Sequence, residues 1–453
     1  MKNCDKMNIV NIRLILRGGG YIIMKVKSGV SYEAILNKPK GKTKKPVKPS
    51  ILFRTLMRVA SIPDLMATKF KYTSIGMEKL GKREPCLYLM NHSSFIDLKM
   101  ASKILYPRPY NIVCTSDGFI GKNWLMRQLG CIPTKKFVSE INLIHDMLYS
   151  VKAHKASILM YPEASYSFDG TATPLPESLG RCIKMLGIPV VIIKSYGAFT
   201  RDPLYNNLQR RKVEVSATVE YILSPEEIVE KSPREINSIL RAQFDFDNFR
   251  WQQENNVTVN EEFRADSLNR VLFKCPNCLV EGKTEGKGTV LTCHACGKQY
   301  ELGTDGFMRA LDGVTEYPHI PDWYAWEREC VKEEILSGEY RLDVAVDIFA
   351  MVDTDCIYDI GEGRLVHSKE GFVLTGCNGE LEYRQKPLSS YSLYADYYWY
   401  KLGDMICVGD KNILYYCFPK DAGDVVAKTR LAAEEMYKII RAETRTKKDT
   451  NAE

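Results

Sequence analysis

Two groups of residues have the types and spacing to do chemistry. His92 and Asp97 stand five positions apart in Asn91-His92-Ser93-Ser94-Phe95-Ile96-Asp97, directly after the apolar run Cys86 to Met90. A neutral imidazole near pH 7 can take a proton from a hydroxyl, and a neighbouring carboxylate fixes its tautomer and stabilises the imidazolium. The pair also has a structural reading, because Ser94-Phe95-Ile96-Asp97 is a capping box in which Asp97 accepts from the helix start. The second group is Cys275-Pro276-Asn277-Cys278, then 14 residues, then Cys293-His294-Ala295-Cys296-Gly297. Each pair suits a turn that presents both sulfurs, and four thiolates make a closed, tetrahedral and therefore structural site. Zinc is expected at Cys275, Cys278, Cys293 and Cys296 ahead of iron, and His294 need not ligate.

The elements that must position His92 follow from the apolar pattern. Segments of strand length recur at 86–90, 111–114, 156–161 and 188–193, separated by stretches long enough for helices. That cadence describes an α/β domain with a central mixed sheet and flanking helices. Strand ends in such folds line the crevice where ligands bind, and helix amino-termini attract anions. A second strand end runs into Tyr161-Pro162-Glu163-Ala164-Ser165-Tyr166-Ser167, and Gly130 to Lys136 forms a turn with paired lysines. The former also reads as a proline turn with capping serines. Lys212 to Tyr221 alternates cleanly and is expected at a sheet edge. Ser224-Pro225-Glu226-Glu227 and Ser232-Pro233-Arg234-Glu235 begin two capped helices that close the domain near residue 245, and Gln252 to Asn260 reads as a connector.

In this order and spacing these stretches resemble the glycerolipid acyltransferase family, typified by 1-acylglycerol-3-phosphate acyltransferases, over roughly residues 51 to 245. The resemblance implies that His92 is the base for an acceptor hydroxyl and that Asp97 supports it. It also implies substrate-binding roles for Asn91, Ser93, Lys136, Glu163, Ser165 and Tyr166, a lysolipid acceptor, and an acyl thioester donor on coenzyme A or acyl carrier protein. Backbone amides at the helix start after His92 are the expected oxyanion donors. Ala164 and Ser165 are near substitutes for the family's residues, and Lys136 and Tyr166 each stand where an arginine is usual. Guanidinium groups are the natural partners of a phosphate monoester. The acceptor therefore remains open between lysophosphatidic acid, a lysophospholipid with a larger head group, and another hydroxylated lipid.

At 453 residues the chain exceeds one hydrophobic core. The expected divisions are a disordered basic arm at 1–50, the acyltransferase domain at 51–250, a zinc ribbon at 265–305, and a β-rich module at 320–445 closed by a helix. That last module has a weak resemblance to pleckstrin-homology and GRAM domains. Arg17-Gly18-Gly19-Gly20 ahead of Met24 suggests that translation starts at Met24, and Lys38 to Lys48 reads as a solvated linker. Ile51 to Ile62 has helical apolar spacing up to Pro63, which suits either a membrane interface or packing on the domain. The cluster Tyr391, Tyr394, Tyr397, Tyr398, Trp399 and Tyr400 reads as core or as a binding surface.

No apolar run reaches membrane-spanning length and no signal peptide is evident. With cysteines otherwise scattered singly, the expectation is a cytoplasmic protein, peripheral on the cytoplasmic face of the membrane. The alternatives are a non-catalytic lipid-binding scaffold and a nucleic-acid-binding protein organised by the ribbon. A net charge of +7 is diffuse, and Glu281, Glu285 and Glu301 lie among the lysines of the ribbon, which disfavours nucleic acid.

Overall fold

The computed structural model describes residues 9–15, 21–39, 44–138, 141–420 and 424–450. Ile9–Ile15 (β1) and Tyr21–Lys27 (β2) pair as an antiparallel hairpin, and β2 runs parallel to Ile357 and Tyr358 in the C-terminal half. Tyr32–Leu36 (α1) follows. These elements correct the expected disordered arm. Lys38 pairs with Asp353 at 2.5 Å, Pro46 and Pro49 are buried, and Asn111 Nδ2 donates to the Val47 carbonyl at 2.8 Å. Prolines leave no N–H to satisfy, so this extended segment packs on the domain without joining a sheet. Gly18 to Gly20 and residues 40–43 of the lysine run lie outside the described residues.

Ile51–Ala67 (α2) begins at Ser50, whose side chain accepts from Phe53 N, and it continues through Pro63 where a stop was expected. Proline removes the bond to the carbonyl four residues back, which belongs to Val59 on the exposed side, where water can satisfy it. Ser61 and Leu65 turn inward while Leu52, Leu56, Val59 and Met66 face out.

The α/β half then supplies Lys71–Ile75 (β3), Leu87–Met90 (β4), Ile96–Leu105 (α3), Tyr110–Thr115 (β5), Asn123–Gln128 (α4), Cys131–Thr134 (β6), Ile141–His154 (α5) and Ser157–Met160 (β7). Leu179–Leu186 (α6), Val190–Tyr196 (β8), Ala198–Arg201 (α7), Ser216–Leu223 (β9), Pro225–Glu230 (α8), Pro233–Phe244 (α9) and Asn248–Glu254 (α10) complete it. The strands form a seven-stranded sheet in the order β3-β9-β8-β4-β7-β5-β6. It is mixed, since β4 is parallel to β7 and β8 whereas β9 runs antiparallel to β8.

Central β4 is buried along its whole length, as its unbroken apolar run requires. Both serine-led capping boxes form, at Ser224 with Glu227 and at Ser232 with Glu235. Two expectations change here. β9 keeps its alternation but is not an edge, because the exposed strand β3 pairs outside it. The supposed connector carries the end of α10, with Gln252 buried and donating to the Thr304 carbonyl.

Thr284–Lys287 (β10), Val290–Cys293 (β11), Gln299–Leu302 (β12) and Met308–Ala310 (β13) make a four-stranded antiparallel ribbon. Ile320–Ser337 (α11) packs on it through the indole N–H of Trp323, which donates to the Lys274 carbonyl, and through Glu327, which accepts from Lys274 N. The β-rich half consists of Leu342–Met351 (β14), Ile357–Ser368 (β15), Gly371–Gly376 (β16), Leu381–Gln385 (β17), Tyr394–Trp399 (β18), Gly403–Gly409 (β19) and Leu414–Pro419 (β20). Val425–Thr450 (α12) closes it.

One contiguous core joins these parts. Phe168, Phe199, Tyr205 and Phe249 of the α/β half pack with Phe273, Tyr300 and Trp323 around the ribbon and with Tyr397, Leu431 and Met436 of the C-terminal half. The ribbon and the C-terminal sheet are therefore built into the α/β half, with no solvated linker at either join.

Candidate active site and four-cysteine centre

The turn after β4 places His92 where the central strand ends, and the start of α3 returns Asp97 beneath it. Asp97 Oδ2 accepts from His92 Nδ1 at 3.1 Å, from Ser93 N at 2.8 Å and from Ser94 N at 3.0 Å. The capping and the catalytic readings of Asp97 thus coexist on a single oxygen. With the Nδ1 proton engaged by a carboxylate, Nε2 is left as the basic nitrogen. The His92 side chain is 21% exposed and that of Asp97 is 0% exposed. Burial pulls the His92 pKa below its ordinary value and Lys136 adds to the pull, while Asp97 opposes it. A neutral imidazole at neutral pH is the result.

The ring of His92 is held on both faces, by Tyr161 at 4.2 Å between ring centres and by Tyr166 at 4.3 Å. Such contacts fix the imidazole plane. Tyr166 therefore flanks the imidazole, and burial beside Asp97, Asp396 and Asp202 keeps its phenol protonated. Lys136 lies close enough to His92 to lower its pKa and places its Nζ 4.1 Å from the ring centre of Tyr394.

Three of the residues expected to bind substrate hold the frame of the site. Asn91 exchanges bonds with Ser195, Oδ1 accepting from its N–H at 2.7 Å and Nδ2 donating to its carbonyl at 3.2 Å, so it ties β4 to β8. Glu163 is buried, with Oε2 accepting from His92 N at 2.8 Å and Oε1 from Thr173 N at 2.9 Å. Burial raises its pKa to about 7 against those hydrogen bonds. Ser93 is buried and gives its N–H to Asp97. Ser165 Oγ is buried beside this frame without a hydrogen-bond partner.

The amides expected to form the oxyanion hole are largely occupied. Those of Ser93 and Ser94 bond Asp97, and that of Ile96 bonds Ser94 Oγ at 3.2 Å. A short capped turn satisfies its own donors first. Several residues around the site were not visible to sequence reasoning. Tyr161 was legible only as part of its motif, and Ser195 sits at the end of β8, where strand-end logic reaches it. Asp117 and Asp396 arrive through tertiary packing, as does the placement of Tyr394, which the sequence offered only within an aromatic cluster.

At the ribbon, the Sγ atoms of Cys275 and Cys296 are 3.8 Å apart and those of Cys278 and Cys293 are 3.7 Å apart. All four lie within 4.8 Å of one another. Tetrahedral zinc–thiolate bonds of about 2.3 Å would put sulfurs about 3.8 Å apart. The four-sulfur set fits such an ion. The turns that aim the sulfurs are closed by Leu279 N donating to Cys275 O and Gly297 N donating to Cys293 O, both at 2.8 Å. His294 points away and bonds Glu285.

Residues 71–194 match the family model described as Acyltransferase. A chloroplastic 1-acyl-sn-glycerol-3-phosphate acyltransferase of Brassica napus is 28% identical over 127 residues, which cover 27% of this chain and 36% of that protein. The chain thus spans about a third of the length of that curated relative. The solved 1-acyl-sn-glycerophosphate acyltransferase of Thermotoga maritima superposes with a TM-score of 0.32 at 14% identity, covering 43% of this chain and 80% of that one. A likeness at that score adds nothing to the strand order and site geometry given above.

Proposed function

We propose, from the match of residues 71–194 to the Acyltransferase family, that the protein moves a fatty acyl group from a thioester, on coenzyme A or acyl carrier protein, to the hydroxyl of a lysoglycerolipid. The observation that carries this reading is the buried Asp97 oxygen that orients His92 with Nε2 free. In the reaction the acceptor hydroxyl gives its proton to Nε2 as its oxygen attacks the thioester carbonyl. Collapse of the tetrahedral intermediate breaks the C–S bond, and the imidazolium returns the proton to the departing thiolate. Asp97 stabilises the imidazolium in between. No covalent acyl-enzyme is needed.

The reaction requires contact with a bilayer that holds the acceptor. Among the described residues no helix is long and apolar enough to cross a membrane. The outward face of α2, with Leu52 at 70% exposure, continues past Phe53 to Trp124 at 68% exposure. An apolar stripe with an exposed indole suits the interfacial zone of a bilayer. We assign the protein to a membrane surface on that basis, with zinc in the four-cysteine site as a structural ion that holds the ribbon.

The test is acyl transfer by the purified chain from palmitoyl-coenzyme A and from palmitoyl carrier protein to a panel of lysolipids in mixed micelles. The reading expects product with at least one acceptor and loss of at least a hundredfold in His92→Ala. Absence of transfer to every acceptor, or an active His92→Ala variant, overturns it.

A further inference from the structure

The two positions at which a family arginine is replaced, Lys136 and Tyr166, are both met by the C-terminal half. Lys136 Nζ sits over the ring of Tyr394 at 4.1 Å. Tyr394 is fixed in turn, because its hydroxyl donates to Asp117 Oδ2 at 2.6 Å and the Trp399 indole donates to the same oxygen at 3.1 Å. Phe137, next to Lys136, meets Tyr391 edge to face at 5.4 Å. On the other side, Arg430 of α12 donates to the backbone carbonyl of Tyr166 at 3.3 Å, and Phe168 packs on Tyr397 at 4.4 Å. The segment 391–400 thus spans the gap between the two substituted positions.

Its charges differ from those a phosphate monoester requires. Asp396 lies between Tyr394 and Tyr397, with its carboxylate accepting from Tyr397 N at 3.0 Å. Burial raises its pKa to about 7 and the nearby Lys136 opposes the rise, so a cation placed against it would favour the ionised carboxylate; both Asp396 and Tyr400 act on the Tyr166 phenol. Two further buried acids stand nearby, Asp117 and Asp202, each with an Oδ1 that has no hydrogen-bond partner. Asp202 is paired with Arg201 at 2.8 Å, which leaves Lys136 beside Asp396 and Asp117; a phosphate monoester carries about −1.5 to −2 at pH 7 and would meet those two acids with a single lysine. A phosphodiester carries a single negative charge, and an ammonium attached to it would meet a carboxylate and aromatic faces, the usual surroundings of a bound ammonium.

We propose that the C-terminal segment 391–400 forms the head-group wall of the acceptor site and selects a lysophospholipid whose phosphate is esterified to an ammonium-bearing group. Lys136 faces the phosphate in this arrangement, and Asp396, with the rings of Tyr166 and Tyr400, faces the ammonium. Asp396 is thereby the specificity-determining residue, supplied by a part of the chain outside the family domain. The inference rests on the acyltransferase reading above and adds the acceptor class to it.

The test compares kcat/KM of the full chain for lysophosphatidylethanolamine, lysophosphatidylglycerol and lysophosphatidic acid with one acyl thioester. The expected order places lysophosphatidylethanolamine at least tenfold above lysophosphatidic acid. Asp396→Asn keeps an oxygen for Tyr397 N and should lower that ratio at least tenfold, mainly through KM for the ammonium acceptor. Asp396→Lys should reverse the preference. Thermal melting of both variants separates selectivity from unfolding, since a ratio of two substrates is insensitive to the fraction folded. Equal or better use of lysophosphatidic acid by the wild type, or variants that change all acceptors alike, overturns the inference and leaves the acyltransferase reading intact. Transfer to no acceptor overturns both.

Discussion

Replacing Asp97 with asparagine tests the centre of the proposed reaction. The carboxylate oxygen that orients His92 also receives two backbone amides, so an asparagine oxygen in the same place preserves the turn and the tautomer. What it removes is the negative charge that meets the imidazolium. At a separation of about 4 Å and an effective dielectric of about 20, that interaction is worth about 4 kcal/mol. If most of it is felt in the transition state, kcat falls about a thousandfold while KM for the acceptor changes little.

The pH profile gives an independent readout. Burial lowers the His92 pKa and Asp97 raises it, so loss of the charge lowers it further. The unprotonated base then persists to lower pH, and the acidic limb of kcat/KM moves to lower pH. Steady-state acyl transfer measured across pH 5 to 9 reads both effects. A variant with kcat within about threefold of wild type, or an acidic limb that stays in place or moves up, would refute the role given to Asp97.

Three other perturbations follow from the structure. Glu163→Gln sets an amide NH2 against the N–H of either His92 or Thr173, which should cost about 1 to 3 kcal/mol of stability in denaturant unfolding. Burial raises the Glu163 pKa from an ordinary 4.5 to about 7, so its protonation contributes stability that is complete below pH 4.5 and lost as pH rises through about 7. The wild type should therefore lose more stability than the glutamine variant between pH 5 and pH 8.

Metal analysis should find one zinc per chain, and chelation should lower the melting temperature, because Cys275 and Cys293 are buried against the ribbon core. A metal-free chain that melts unchanged would contradict a structural ion. Finally, the Leu52→Glu, Leu56→Glu pair removes two outward leucines from α2. At about 1.5 to 3 kcal/mol for each buried leucine side chain, vesicle partitioning measured by sedimentation should fall at least a hundredfold. Undiminished partitioning would place the membrane face elsewhere.

Much of the α/β half was legible because its strands are unbroken apolar runs and its later helices begin with serine, proline and glutamate in capping order. The cysteine cluster was legible because two Cys-x-x-Cys turns constrain sulfur positions locally. Pro63 misled because a proline can be carried inside a helix where the carbonyl it strands reaches solvent, and Val59 is exposed. The edge assignment of β9 failed because a clean alternation reports one wet face and says nothing about a further strand alongside. Asn91 and Glu163 were assigned to substrate because they lie within the motifs. Their side chains turn inward to brace the turn, and only the packing of β8 and of Thr173 reveals it. The covering of Lys136 by Tyr394 depends on how two halves of the chain dock, which no local pattern encodes.

The shared core also imposes a schedule on synthesis. Phe168, Phe199 and Tyr205 leave the ribosome well before the residues that bury them, which extend to Leu431 and Met436. At about 5 to 20 residues per second, the stretch of roughly 190 residues after Phe249 takes on the order of 10 to 40 s to appear. For that interval the half that carries His92 exposes aromatic surface with no partner. A chain halted or cleaved between the two halves would therefore be a client for chaperones and proteases.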